Sequence, residues 1–339
     1  MKKTAYSIAV VGATGLVGSE IVSALERRRF PIADLRLYAS LRSAGDEMQC
    51  GTVTARVEPL DGARFEGADL VFFAAGEQVS AEWIGRATEA GAVVIDASQL
   101  FAADAGVPIV VPEVNAAGVA DYVNRGLIVS PDAPATALGV VLKPLQSLSV
   151  IRRVVVSTYE PVSGAGRAGI QELQHQTVEL MSGRSVEPKV FPHRIAFSVV
   201  AQVGEFLAGA MSREEAHTVR AVRRLLGDEE LPVSITRVRV PLFYGAALAV
   251  NVETAEKVTA VEAADVLRSA PGIVVQDDVL NAIYPTPTDT VGEDAACVGR
   301  IREDELLNTL DLWITIDNIR KGSAVNAVQI AELLVRDYL

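Results

Sequence analysis

The sequence predicts an α/β domain followed by an α+β domain. Three observations carry this. A glycine-rich turn, Gly12-Ala13-Thr14-Gly15-Leu16-Val17-Gly18, stands between a strand-like run and a helical one. Short apolar runs then alternate with helical stretches to about residue 130, the pattern of a mostly parallel sheet covered on both faces. Beyond about residue 135 the strands lengthen and intervening helices thin out, which reads as an antiparallel or mixed sheet.

Residues 5–11 read as the first strand and residues 19–28 as the first helix. The glycines between them allow a tight turn and close approach of backbone to a pyrophosphate. The helix N-terminus adds N–H groups and a favourable dipole. This makes the first domain Rossmann-like, with Gly12, Ala13, Thr14, Gly15, Leu16 and Val17 as candidate nucleotide contacts. The spacing G-x-x-G-x-x-G is a variant of the dinucleotide fingerprint, and a purely structural turn would carry the same glycines. The second strand, 34–40, ends at Ser40, where NAD-binding proteins often place an acid for the ribose 2′-hydroxyl. Here Ser40, Arg42 and Ser43 offer hydroxyls and a guanidinium instead, which suit a 2′-phosphate and favour NADP. A solvated loop is the alternative reading.

A strand over 69–75, a helix over 80–90 and strands over 92–96, 107–111 and 127–129 complete the first domain. The second starts with a helix over 135–148 and a strand over 150–158. A second glycine turn, Ser163-Gly164-Ala165-Gly166, follows, with helices over 169–181 and 214–226. Strands over 235–240 and 246–253, a helical run over 255–270 and a strand over 310–317 come next. In the tail, Val325, Val328, Ala331, Leu334 and Val335 form a helical stripe that must dock, and the first domain is the expected host. The domains are therefore drawn as 1–132 with 320–339, and 133–319.

At 50% hydrophobic and 22% charged, 339 residues bury full cores. A net charge of −12 disfavours nucleic acid and anionic membranes as partners. No apolar stretch is long enough to span a bilayer. Cys50 and Cys297 with His175, His193 and His217 show no ligand spacing, so neither a metal site nor a disulfide framework is expected. The N-terminal lysines and apolar run resemble a secretory signal, but glycines interrupt the run and no A-x-A site follows. A cytoplasmic location is expected.

Residues 129–145, VSPDAPATALGVVLKPL, form a strand-to-helix elbow, a place where α/β enzymes often mount a nucleophile. The residue at the elbow is Ala133, which has no such chemistry. Ser130 and Thr136 flank it, but a hydroxyl needs a base. Buried structural thiols are the better reading of both cysteines.

GATGLVG, ASLRSAG, VPIVVPEVN, VLKPL, SGAG, RVPL, YPTPTD, VGRIRED and DNIRKGSAVNAVQIAELL together resemble aspartate-semialdehyde dehydrogenase, from the first strand to the last helix. The resemblance implies a homodimer whose Rossmann-like domain binds NADP and receives the C-terminal helix. The second domain, similar to the C-terminal domain of glyceraldehyde-3-phosphate dehydrogenase, would carry the active site and the dimer interface. Ser163, Gly164 and Asn326 join the cofactor contacts on this basis. In that family a cysteine thiolate attacks the aldehyde, hydride leaves to NADP and phosphate cleaves the thioester. A histidine is the base and a glutamine positions the reactants. One arginine holds the substrate carboxylate, while another arginine and a lysine hold phosphate.

Carried over residue by residue, most of this machinery is missing. Counting back from Lys143-Pro144-Leu145 puts the cysteine position at Ala133, with Ser130-Pro131-Asp132 where the family has Asn-Pro-Asn. The histidine position is Ala246, after Gly245, and the glutamine position is Glu160. The phosphate arginine falls on Ala102 and the lysine on His217, with Glu214 kept. The carboxylate arginine survives as Arg239. Arg239, Asp132, Glu160, Glu214, His217 and Ala102 would thus line the pocket. Asn→Asp, Gln→Glu and Arg→Ala each make it about one charge more negative, which disfavours an acyl phosphate.

Three readings follow. The leading one is a non-catalytic, NADP-binding, dimeric member that holds a small-molecule ligand or serves regulation. Another is an NADP-dependent oxidoreductase, acting on aspartate semialdehyde or another carbonyl, with Glu160, Asp132, Tyr244 or His217 as proton donor. The last is a dimeric scaffold without cofactor. Asp132 and Glu160 could also pair for acid/base work, whereas opening to solvent or pairing with Arg239 are the plainer fates of Glu160.

Overall fold

A computed structural model describes residues 3–339. They divide into two compact units. One takes the chain up to Asp132 together with Ser323–Leu339, and the other is Ala133–Gly322. Residues 320–322 therefore leave the first domain as drawn from sequence. The Arg320 N–H donates to the Asp317 carboxylate and the Gly322 N–H to the Asp317 carbonyl, at 2.9 and 2.8 Å, so this turn closes on the strand before it.

In the first unit the chain runs β1 (Tyr6–Val11), α1 (Leu16–Arg27), β2 (Ile32–Ala39), β3 (Glu47–Cys50), β4 (Val53–Pro59), β5 (Leu70–Phe73), α2 (Glu77–Glu89), β6 (Val93–Asp96), a one-turn α3 (Pro112–Asn115) and β7 (Leu127–Val129). The seven strands lie in the order β3-β4-β2-β1-β5-β6-β7, parallel except for the β3–β4 hairpin. The expected strand over 107–111 does not form. Only Ile109 bridges to Val129. Pro108 and Pro112 have no N–H to donate, and the Asn115 side chain takes the Val111 N–H and the Ile109 carbonyl instead. The α/β class holds, and the central strands are buried along their length, as sheets covered on both faces require.

The C-terminal helix, Val325–Asp337, belongs to this unit's core. Val325, Val328, Ala331 and Leu334 pack in one cluster with Ile8, Leu25, Phe72 and Ile95. Each buried Val, Leu, Ile or Phe side chain contributes about 1.5–3 kcal/mol. Tyr6 donates its hydroxyl to the Val335 carbonyl at 3.3 Å, and Arg28 forks onto Glu332 at 2.8 and 2.7 Å.

The second unit runs α4 (Ala133–Leu145), β8 (Ile151–Glu160), α5 (Gly166–Met181), α6 (Arg213–Leu226), β9 (Val233–Arg239), β10 (Ala246–Thr254), α7 (Ala260–Ser269), β11 (Ile273–Val275), β12 (Ala296–Glu303) and β13 (Thr309–Ile316). The C-terminal helix is then α8. Strand order is β11-β12-β13-β10-β8-β9, with β8–β9 and β11–β12 parallel and the other pairs antiparallel. The expected mixed sheet is therefore present. Helix α7 starts at Ala260, not near 255, because Thr259 and Glu262 form a capping box. Ser212 and Glu215 do the same for α6, and Gly227 ends it at φ 74°. Among the described residues, no helix is long and apolar enough to cross a membrane.

Candidate functional site

The glycine turn in the first unit is built for close approach. Gly12 has φ +84°, and a β-carbon there would lie 2.6 Å from the Ala74 carbonyl oxygen. At Gly18 it would lie 2.1 Å from the Gly12 oxygen, so neither position accepts a side chain. The backbone carries Ala13 inward, fully buried, while Leu16 and Val17 open α1. A cleft of about 370 Å³ is lined by Gly12, Thr14, Gly15, Ser40 and, unseen in the sequence, Leu60 and Asp61. The Thr14 hydroxyl donates to the Ser43 hydroxyl at 3.1 Å, joining the glycine turn to the loop after β2. Ser40 and Arg42 are exposed there. The Asp61 carboxylate can accept hydrogen bonds from ribose hydroxyls.

The elbow is held from several sides within the same unit. The Ser130 N–H donates to the Asp96 carbonyl at 2.9 Å, and Gln99 donates its amide to the Ser130 carbonyl at 2.7 Å. Asn326 donates to the Ser130 hydroxyl at 2.8 Å and to the Val110 carbonyl at 3.0 Å. Its Oδ1 is buried with no hydrogen-bond partner, an acceptor left over at the heart of the unit. Gln99, at φ 70°, was missed because a positive φ on a side-chain-bearing residue has no sequence signature. Ala102 is fully buried.

Ala133 is the first residue of α4, two residues earlier than the periodicity suggested, and is 6% exposed. Gly322 packs so close that a β-carbon on it would lie 2.4 Å from that of Ala133. Ala246 opens β10 and is 1% exposed, paired with Ile316. Gly245 before it has φ +79°, and its N–H donates to Asn318 at 3.1 Å. Neither alanine offers a nucleophile or a base. Burial raises both thiols, Cys50 to about 11 with help from Glu26, so neither cysteine is a ready thiolate. Of the histidines, His217 is half-buried on α6, while His193 is exposed in a loop.

The charged part of the second unit is a buried cluster. Residues Thr158 and Glu160 of β8 stand beside Arg237 and Arg239 of β9 in parallel register, so all four share one face of the sheet. Glu160 was expected to meet solvent or Arg239. It is 6% exposed, and its main partner is Arg237. Arg237 donates Nε to Oε1 at 2.6 Å and a terminal nitrogen to Oε2 at 2.8 Å. Thr158 adds a hydrogen bond at 2.8 Å. Burial pushes the carboxyl up, but Arg237, Arg239 and Thr158 outweigh it and the net shift is down. Arg239 lies 4.0 Å from Glu160 and donates to the Pro161 carbonyl at 2.6 Å. Its guanidinium fits only because Gly164 has no side chain, since a β-carbon there would lie 2.5 Å away. Burial lowers the Arg239 pKa, and Glu160 and Glu214 oppose that. Glu214 fills the place a β-carbon of Gly204 would take, and Ser163 accepts a hydrogen bond from Asn318 at 3.0 Å. Asp132 ends the first unit, half-buried. No group of His, Cys, Asp and Glu among the described residues could hold a metal ion.

A glycine-turn α/β unit and a mixed-sheet unit with buried arginines define a two-domain dehydrogenase architecture. Residues 7–122 match the family model described as semialdehyde dehydrogenase, NAD binding domain, and residues 142–321 the one described as semialdehyde dehydrogenase, dimerisation domain. The aspartate-semialdehyde dehydrogenases of Rickettsia bellii and Aquifex aeolicus are each 42% identical, with 98% of this chain and 99% of each relative covered. The structure of aspartate semialdehyde dehydrogenase II of Vibrio cholerae superposes with a TM-score of 0.96 at 40% identity, covering 99% of this chain and all of that one. The chain belongs to the aspartate-semialdehyde dehydrogenase family.

Proposed function

We propose that this chain is an NADP-binding homodimer of the family that does not oxidise aspartate semialdehyde. The observation that carries the reading is Ala133, a methyl group at the head of α4 where the family's nucleophile is expected. A thioester cannot form on a methyl group. Ala246 removes the base, and Ala102 and His217 replace the phosphate cations. Gly12, Gly15 and Thr14 would cradle the NADP pyrophosphate, and Ser40, Arg42 and Ser43 its 2′-phosphate. The orphan Oδ1 of Asn326 suits a carboxamide donor. NADP, when bound, would supply a hydride acceptor for which the chain provides no thiohemiacetal. The dimer would use the sheet face opposite the helices, where the Tyr159 and Trp313 rings meet at a 47° tilt with centroids 5.6 Å apart.

Turnover is the test. Pure protein with aspartate semialdehyde, phosphate and NADP is expected to form no NADPH, and measurable turnover would sink the reading. NADP should nevertheless raise thermal stability, by about 2.7 kcal/mol at a hundredfold excess over Kd. Reduction of another carbonyl needs a proton donor. Glu160 is kept ionised by Arg237 and does not serve, which leaves Asp132, Tyr244 and His217 for that second reading.

A further inference from the structure

We propose that Glu160 is a resident anion. It supplies from within the chain the carboxylate that Arg237 and Arg239 would otherwise take from a ligand, and so sets the specificity of this pocket against small carboxylates. The inference rests on the family placement of Arg239 as the arginine facing a substrate carboxylate.

The geometry supports it in three ways. First, both Glu160 oxygens are engaged by the Arg237 fork, and Oε2 also lies 4.0 Å from Arg239, so one carboxylate sits between two guanidinium groups. A bidentate fork of this kind is the arrangement an arginine offers an incoming carboxylate. Second, the pair is fixed on all sides. Thr158 donates to Glu160, and Arg237 donates at 2.9 Å to Thr218 and at 3.1 Å to the Glu214 carbonyl. Glu160 cannot swing away without leaving Arg237 buried and uncompensated. Third, carboxylates already stand against Arg239. Burial and Arg237 disfavour its charge, Glu160 and Glu214 favour it, and Phe191 lies 6.0 Å from its guanidinium. An external carboxylate would enter beside a carboxylate already in place, and like charges at this range in a dry site repel strongly. The pocket of this chain therefore favours neutral ligands over anionic ones.

Isothermal titration of the full chain with L-aspartate tests the proposal. Parent protein should bind at least tenfold more weakly than Glu160→Gln, and the gain should vanish in Glu160→Gln/Arg239→Ala. Should Glu160→Gln fail to fold, Glu160→Gln/Arg237→Gln removes both charges of the pair, leaves Arg239, and should still bind more tightly than the parent, by less than Glu160→Gln would. Equal affinity in parent and variant, or a gain that survives loss of Arg239, overturns the proposal. That outcome leaves the non-catalytic reading standing on Ala133 and Ala246. Turnover by the parent would defeat that reading while the titration still decides the role of Glu160.

Discussion

Arg237 and Glu160 form a bidentate ion pair at 2.6 and 2.8 Å, each less than a tenth exposed. Such a pair is asymmetric in its energetics. The two charges together are close to neutral for stability, but removing one leaves the other stranded in a dry site. Arg237→Met alone should cost about 3–5 kcal/mol, and Glu160→Gln a comparable amount. Arg237→Met/Glu160→Gln should cost much less than the sum, with a coupling of about 2 kcal/mol or more. Urea unfolding of the four proteins measures this, and additive losses would show that the pair does not act as a unit.

Acid should affect two buried carboxyls in opposite senses. Glu160 has a folded pKa below its unfolded one, so its contribution is present above the unfolded value and lost as pH falls through the folded one. Asp96, buried and hydrogen-bonded to Ser80 and Ser98, is pushed up from 3.8 to about 6, with burial the main cause and Glu77 adding to it. Its protonated form is favoured by folding. That contribution is full below about pH 4 and lost as pH rises through about 6. Asp96→Asn should therefore flatten the fall in stability between those pH values, by up to about 3 kcal/mol. Unfolding free energies of parent and variant across the window decide it, and parallel profiles would refute the shift.

How much of this was legible in the sequence follows from what leaves a local trace. The glycine turn is readable because Gly12 and Gly18 are steric necessities, and no other residue fits against the Ala74 and Gly12 carbonyls. The elbow is readable because its distance from Lys143-Pro144-Leu145 is a count. Strands β3 and β4 were not read, since EMQC and VTARVEP mix polar and apolar residues at a sheet edge. Arg237 was missed for a related reason. Two arginines alternating with valine in β9 look like a solvated face, yet β9 buries Ile235, Arg237 and Arg239 on the same side. Only the partner strand, with Glu160 two residues beyond Thr158, explains why that side is charged. Asp61 and Gln99 act from loops whose path depends on distant contacts, and a single chain's sequence holds no mark of them.

Gly12→Ala should abolish nucleotide binding. The added methyl would sit 2.6 Å from the Ala74 carbonyl, and φ +84° strains any residue with a β-carbon. A turn reshaped to relieve that overlap would no longer bring its backbone to a pyrophosphate. Thermal unfolding with and without NADP is the measurement: a shift in the parent, none in the variant. An equal shift in both would show that the nucleotide binds elsewhere. Loss of fold in the variant would be seen without ligand, as a lowered baseline Tm.

Ala133→Cys should not restore turnover. The thiol would be placed at the head of α4, where the helix N-terminus favours a thiolate, so some nucleophilic character is expected. Attack on an aldehyde is only the first step, however. Collapse of the thiohemiacetal to a thioester needs a group to take the hydroxyl proton as hydride leaves, and Ala246 supplies none. Cleavage of the thioester then needs phosphate held by cations, and Ala102 and His217 stand where the family's cations are expected. The variant is therefore expected to react with iodoacetamide yet to form no NADPH from aspartate semialdehyde and phosphate. Adding Ala246→His should permit at most a single burst of NADPH, equal to the enzyme, because the thioester has no efficient exit. Steady turnover in Ala133→Cys alone would mean that another side chain already serves as base.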